Sequence, residues 1–353
     1  MKVVVPPFDE TSAELARARQ QRLTKPRGSL GMLEEIPVQL AGLQRRALPA
    51  SRPAAAIVFA SDHPVARHGV SAYPVEVTAA MLRNFVAGGA AASVLARELR
   101  VPLHIVDVGV RGSAHLAFEE DVRLVRAPVA GDEVGDLRVE DAMSEATFAR
   151  AVLAGAAAVD SLPADVLVLV LGEMGIGNTT AASAVAAVLL DARSEDADAL
   201  VGAGTGVTGA ALARKRAVVR DSLARVGQVR SPEEAVRRLG GRDIAALFGA
   251  AARACERGMA ILVDGFIVST AILALVRATP ATRGSLFFAH RSAEQGHRRV
   301  LEALEARPLL DLELRLGEAS GALLALPLLD HACALHAQMA TFASAGVPES
   351  GAS

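Results

Sequence analysis

Tryptophan is absent from this chain and Tyr73 is its single tyrosine, so aromatic residues make up only 3% of the sequence. A core built without large rings must be aliphatic, and half of the residues are hydrophobic, with alanine heavily used. Cysteine is also scarce: Cys255 and Cys333 are too few for a disulfide framework and fit a reducing compartment. No excess of one charge exists. The net charge is −2 with acids and bases interspersed, which gives no electrostatic footprint for nucleic acid. The longest apolar runs are interrupted by Glu173 or Asp264, so no membrane span is expected. Acids within the first ten residues, with no apolar core segment, argue against a signal peptide, and a cytoplasmic location is expected. A Gly-x-Ser-x-Gly elbow is missing, so nothing supports a serine hydrolase. No repeat or low-complexity linker stands out. At 353 residues the chain exceeds one typical domain and can bury a large core.

The most informative stretch runs from Asp165 through six aliphatic residues to Gly172-Glu-Met-Gly-Ile-Gly-Asn-Thr-Thr180 and on into an alanine-rich helix. The apolar run reads as a strand buried on both faces. A strand, a glycine loop and a helix start together present free backbone N–H groups to an anion. Gly172, Gly177 and Asn178-Thr179 have the spacing of a triphosphate-binding P-loop, but Asn178 stands where its lysine would be. Gly175-x-Gly177-x-x-Thr180 begins like a dinucleotide fingerprint but lacks the third glycine, and the acid expected some twenty residues on is met only loosely by Glu195 and Asp196. A monophosphate fits better than ATP or NAD. Glu173 is an acid where a pure phosphate cradle would not want one, which suggests chemistry on a nucleotide. The plainer alternative is a tight strand-to-helix turn.

Strands are expected at Ala54–Ala60, Leu103–Val108, Val122–Arg126, Val166–Leu171, Ala260–Val263 and Ser285–Ala289. Between them, helices are expected at 75–99, 144–160, 179–191, 208–226, 232–239, 243–257, 266–277 and 292–305. The fold class is α/β, a Rossmann-like, mostly parallel sheet flanked by helices. Residues 46–321 would form the large domain. Residues 1–45 and 322–353, helical at both ends, would pack into a small helical subdomain. Thr11-x-x-Glu14, Ser231-Pro-x-Glu234 and Ser292-x-x-Gln295 read as helix-start signals. The basic clusters Arg214-Lys-Arg216 and His297-Arg-Arg299 read as solvated helix faces.

Five strands end in unusual polar sequence: Ser61-Asp62-His63, Asp107 to Gly109, Glu173, Asp264-Gly265 and His290-Arg291-Ser292. Because ligands bind beyond the carboxyl ends of strands in open parallel sheets, these positions predict a crevice. His63 and His68, and likewise His331 and His336, are five apart, a spacing that suits no helix face and has no completing ligand set, so no metal site is expected. Leu312, Leu314 and Leu316 alternate with Glu313 and Arg315 in an extended piece that delivers Gly317-Glu318. A partly desolvated Glu318 would suit general-base work, and an N-capping acid is the equal alternative.

Taken with Leu23-Thr-Lys-Pro-Arg-Gly-Ser-Leu-Gly31, Gly69-Val-Ser-Ala-Tyr-Pro74, Val263-Asp-Gly-Phe266 and Leu314-Arg-Leu-Gly-Glu-Ala-Ser-Gly321, the glycine loop resembles the nicotinate-nucleotide–dimethylbenzimidazole phosphoribosyltransferase family over essentially the whole chain. The resemblance implies transfer of the phosphoribosyl group of nicotinate mononucleotide to 5,6-dimethylbenzimidazole. The products would be α-ribazole 5′-phosphate, formed with inversion for the lower loop of cobalamin, and nicotinate. It implies a homodimer, no cofactor and no metal, with Glu318 as general base. Glu173 becomes a candidate stabiliser of positive charge on the ribose. Substrate-binding candidates are Gly175, Ile176, Gly177, Asn178, Thr179, Lys215, Asp264, Ser292, Gly317, Ser320 and Gly321. The base-pocket candidates are Ser71, Tyr73, Ala80, Met81, Leu314 and Leu316. Pro64, Arg27 and Ala80 depart from the family pattern, and Ala80, where a glutamine is usual, leaves the acceptor base open. Another azole or purine acceptor, a P-loop-like kinase and a non-catalytic nucleotide carrier are the alternatives.

Overall fold

A computed structural model describes residues 3–113, 123–192, 196–204 and 206–348. The expected strands appear as β1 (Ala54–Ser61), β2 (Leu103–Gly109), β3 (Arg123–Arg126), β4 (Val168–Met174), β5 (Ala260–Val263) and β6 (Leu286–Phe288). All neighbours pair in parallel, in the order β3-β2-β1-β4-β5-β6. The order reverses between β1 and β4, the switch point at which open α/β sheets form ligand crevices. Val122 and Glu195 lie outside the described residues.

The helices are α1 (Glu10–Arg22), α2 (Met32–Gln44), α3 (Glu76–Val86), α4 (Ala91–Glu98), α5 (Glu145–Asp160), α6 (Asn178–Leu189), α7 (Gly209–Val226), α8 (Pro232–Leu239), α9 (Arg242–Glu256), α10 (Phe266–Ala278), α11 (Gln295–Ala303), α12 (Ser320–Gln338) and α13 (Phe342–Ala345). Strand side chains alternate between two cores. Ile57, Phe59, Leu169, Leu171, Ile261 and Val263 face α5, α6, α9 and α10, while Ala56, Val58, Val168, Val170 and Leu262 face α2, α3, α4 and α12. With few rings to fill space, backbones approach closely: a Cβ on Gly155 would lie 1.9 Å from Ala246 O, and one on Gly249 2.0 Å from Val152 O. Both glycines sit where α5 crosses α9, so any larger residue would force the helices apart.

Several expectations change. The 75–99 helix is two helices, broken at Ala87–Ala90 where Gly88 adopts φ +77°. Residues Glu76–Glu98 and Ser320–Gln338 do have the length and apolarity of a membrane span, contrary to the sequence reading, but the first is this broken pair and the second packs on the sheet. Helix α1 starts at Glu10 without a capping box, and Ser292 accepts from the Glu294 N–H one turn before α11 begins. Ser231 does cap α8, accepting from the Glu234 N–H at 3.1 Å. Lys215 and His297 are fully buried rather than solvated, because at about 100° per residue one member of each basic triplet turns inward.

The chain's ends meet. Helix α12 packs against α2, Gln20 Nε2 lies 2.9 Å from His336 Nδ1, and the Arg19 guanidinium donates to the carbonyls that end α12. Leu23 and Thr341 form an antiparallel bridge.

Candidate active site

Strand β4 ends in Glu173 and Met174, and the chain then turns through Gly175-Ile-Gly177 into α6. Gly175 passes so close to β1 that a Cβ would lie 2.4 Å from Ser61 O, and Gly177 has φ +99°, a conformation that favours glycine. The Ile176 N–H is fixed by Thr78 Oγ1 of α3 at 3.2 Å. Asn178 opens α6 and donates its side-chain amide to Glu173 Oε2. The Asn178 that breaks the P-loop pattern therefore holds the acid of the loop.

Above β4 lies the segment carrying Glu318. A Cβ on Gly172 would lie 2.3 Å from Ala319 N, and one on Gly317 2.6 Å from Glu173 Oε1, so only glycines allow this contact. Glu318 N–H donates to Glu173 O at 3.2 Å. Glu318 and Ala319 both have φ +64°, and two non-glycine residues in succession in the left-handed region are strained. The turn is held by Ser320, whose hydroxyl and N–H both bond Gly317 O, and by Asp264 Oδ1, which accepts the Ala322 N–H at 3.0 Å inside the first turn of α12. Gly321 lies against the ring of His290, whose Nε2 is 3.5 Å from Asp264 Oδ1.

Burial and Asp264 push Glu318 up to about 7, opposed by the Ala92 N–H near the start of α4, and its Oε2 has no hydrogen-bond partner. Glu173 is raised well above the carboxylate range by burial, Asp243 and Asp264. Asp264 Oδ2 is likewise unpartnered. Glu173, at one end of the cleft, is thus grouped with desolvated carboxylates that lie behind it.

The other end is cationic. Lys215 of α7 is fully buried, with Nζ 3.0 Å from both Thr179 Oγ1 and Gly202 O; burial lowers it to about 8 against the opposing pull of Glu294. Ser292 N–H donates to His297 Nδ1 at 2.9 Å. Burial drives His297 down to about 3, so it is neutral, and its remaining ring proton sits on Nε2 facing Ser269 Oγ. Between the two ends, Glu173, Gly175, Ile176, Asn178, Thr179, Ser292, Glu294, Arg315, Leu316 and Gly317 line one cleft.

Of the base-pocket candidates, Leu316 alone lines this cleft. Tyr73 lines a neighbouring cavity with Asp62, His63 and Arg111. Ser71 accepts from the Tyr73 N–H in that loop, Ala80 is exposed on α3, and Met81 is half-buried against the core that also takes Met174. The Leu312–Leu316 ladder is not extended: Glu313 has φ +56° and breaks the alternation, and only Leu314 turns partly inward, its carbonyl accepting from Ala293 N–H. The histidines also have other partners. His63 pairs with Asp243 at 3.0 Å, His68 with Asp136 at 2.6 Å, and His336 with Gln20 and the Ala47 carbonyl. Among the described residues no group of three or more His, Cys, Asp or Glu side chains is placed to hold a metal. Sequence reasoning did not find Thr78, Ala92, Asp243 or Glu294, each brought in by a separate helix or loop with no local motif.

A family model described as phosphoribosyltransferase matches residues 5–347. The chain is 51% identical over 343 residues to the nicotinate-nucleotide–dimethylbenzimidazole phosphoribosyltransferase of Pseudomonas aeruginosa, covering 95% of this chain and 93% of that one. It is 51% identical over 347 residues to the enzyme of the same name from Azotobacter vinelandii, covering 98% and 97%. The crystal structure of CobT from Thermus thermophilus superposes with a TM-score of 0.88 at 42% identity, covering 96% of this chain and all of that one.

Proposed function

Because the chain belongs to the nicotinate-nucleotide–dimethylbenzimidazole phosphoribosyltransferase family, we propose that it transfers the 5-phosphoribosyl group of nicotinate mononucleotide to 5,6-dimethylbenzimidazole. The observation that carries the assignment of roles is the unlike backing of one cleft: behind Thr179 at the α6 start lies Lys215, and around Glu173 lie the buried Asp264 and Glu318. A nucleotide whose ring is a cationic pyridinium matches that polarity along its length, phosphate towards the lysine and ring towards the carboxylates.

In the reaction the glycosidic C–N bond breaks and its electron pair leaves with nicotinate, which needs no acid because the ring was already cationic. The acceptor's unprotonated nitrogen supplies the pair for the new bond to the anomeric carbon. Its N–H proton passes to Glu318, which is half ionised near pH 7 and has a free oxygen to receive it. Burial and the neighbouring carboxylates hold Glu173 above the usual carboxylate range, a cationic ring beside it favours its ionised form, and that form offsets the oxocarbenium character at the ribose. Asn178 holds it in position.

The reading extends to a cytoplasmic homodimer with a large domain over 46–321 and a small one from 1–45 and 322–353; the docking of α2 on α12 supports the small domain, and two buried free thiols support a reducing compartment. Mass spectrometry of reactions containing nicotinate mononucleotide and a panel of benzimidazoles and purines is the test. Release of nicotinate should require an acceptor and give a ribazole phosphate. Binding of both substrates with no product would make the chain a carrier instead.

A further inference from the structure

Glu294 has no role in the chemistry above, yet it is a carboxylate only 7% exposed at the edge of a nucleotide cleft. It stands at the lysine end: Gly202, whose carbonyl takes Lys215 Nζ, is so close that a Cβ there would lie 2.4 Å from Glu294 Oε2. That oxygen is buried and has no hydrogen-bond partner. No cation is within ion-pair distance of it among the described residues, and the Glu294 N–H is used on Ser292 Oγ. An unpaired buried carboxylate oxygen is costly unless a ligand supplies a donor. A phosphate, mostly dianionic near pH 7, is disfavoured there by its like charge. A neutral hydroxyl close to a phosphate held at the lysine end is the donor that fits.

We propose that Glu294 accepts a hydrogen bond from a ribose hydroxyl of the bound nucleotide and so selects ribosyl over deoxyribosyl substrates. The inference rests on the nucleotide reading of the cleft. Ser292, whose oxygen is occupied by the Glu294 N–H, keeps its own O–H free to donate alongside.

The test is a cycle of equilibrium binding, by calorimetry on the full chain. It crosses nicotinate mononucleotide and its 2′-deoxy and 3′-deoxy analogues with the unmodified chain, Glu294→Gln and Glu294→Ala. The unmodified chain should bind one deoxy analogue roughly tenfold to a hundredfold more weakly than the ribonucleotide. In Glu294→Ala that penalty should disappear, with the other analogue unaffected; Glu294→Gln, of the same shape, should show a reduced penalty and controls for folding. If Glu294 serves only to hold Lys215 charged, all three ligands weaken equally and the deoxy penalty persists in every variant, which overturns the proposal. Failure of the unmodified chain to bind nicotinate mononucleotide at all would instead strike the nucleotide reading itself.

Discussion

The polar residues at the ends of β1 and β2 and those beyond β4, β5 and β6 stand on one rim of one sheet, but they are satisfied differently. At the first, Asp107 accepts from the Gly109 and Val110 N–H groups and from Ser113, Arg242 donates to the Gly109 and Asp132 carbonyls, and His63 pairs with Asp243. One atom each of Asp62 and Arg242 is left over. At the second, Asp264, His290, Glu294 and Glu318 each keep a buried atom without a partner. Similar residues in similar places thus serve two ends: the first group ties loops together, and the second waits for a ligand.

Substitutions should separate the two. Glu318→Gln should lower kcat by roughly 10²- to 10⁴-fold while the thermal midpoint holds or rises, since a buried charge is removed. Turnover within a few-fold of the parent would end the case for Glu318 as base. Asp107→Ala should do the reverse, costing roughly 2–4 kcal/mol of stability in denaturant titrations with activity per folded molecule retained. Next in size, Lys215→Met should raise KM for nicotinate mononucleotide by roughly tenfold or more with a smaller change in kcat.

A pH profile sharpens the comparison further. Glu318 must be ionised and Lys215 charged, so kcat/KM should rise through about pH 7 and fall above about pH 8. Stability should move the other way on the acid side. Glu318 holds its proton more tightly folded than unfolded, so between its ordinary value of 4.5 and about 7 the fold loses stability as pH rises, by on the order of 3 kcal/mol across the window. Glu318→Gln should flatten that slope. The smallest effect is expected from Tyr73→Leu, because Tyr73 is 53% exposed and lines the neighbouring cavity. A large rise in KM for the base would join the two cavities into one site.

All six strands were legible because buried parallel strands are continuous apolar runs ended by polar residues; Glu173 stood out as an acid inside a glycine loop, and Glu318 as an acid between glycine and alanine. What escaped depends on backbone angles and on contacts across the chain. The left-handed Glu313 that breaks the leucine alternation carries no local signature, and Gly88 looked tolerable inside a helix. The helical pattern gives Lys215 as one of three surface bases, and only the family resemblance makes it a binding candidate; its burial follows from the docking of α7. Thr78 and Glu294 matter only through partners about a hundred residues distant in sequence, Ile176 and Gly202. The five polar strand ends looked like one crevice because sequence shows which groups reach the rim and not which are already paired.

Helix α12 begins two residues after Glu318 and runs for 19 residues, about 28 Å. Its far end is gripped by Gln20, Arg19 and the Leu23–Thr341 bridge. A helix clamped at one end and following directly on Glu318 at the other works as a lever arm. A loosened clamp at the chain's termini would be felt as a misplaced Glu318, so, on the proposed role of that residue, wear at this remote joint should cost catalytic precision before it costs the fold.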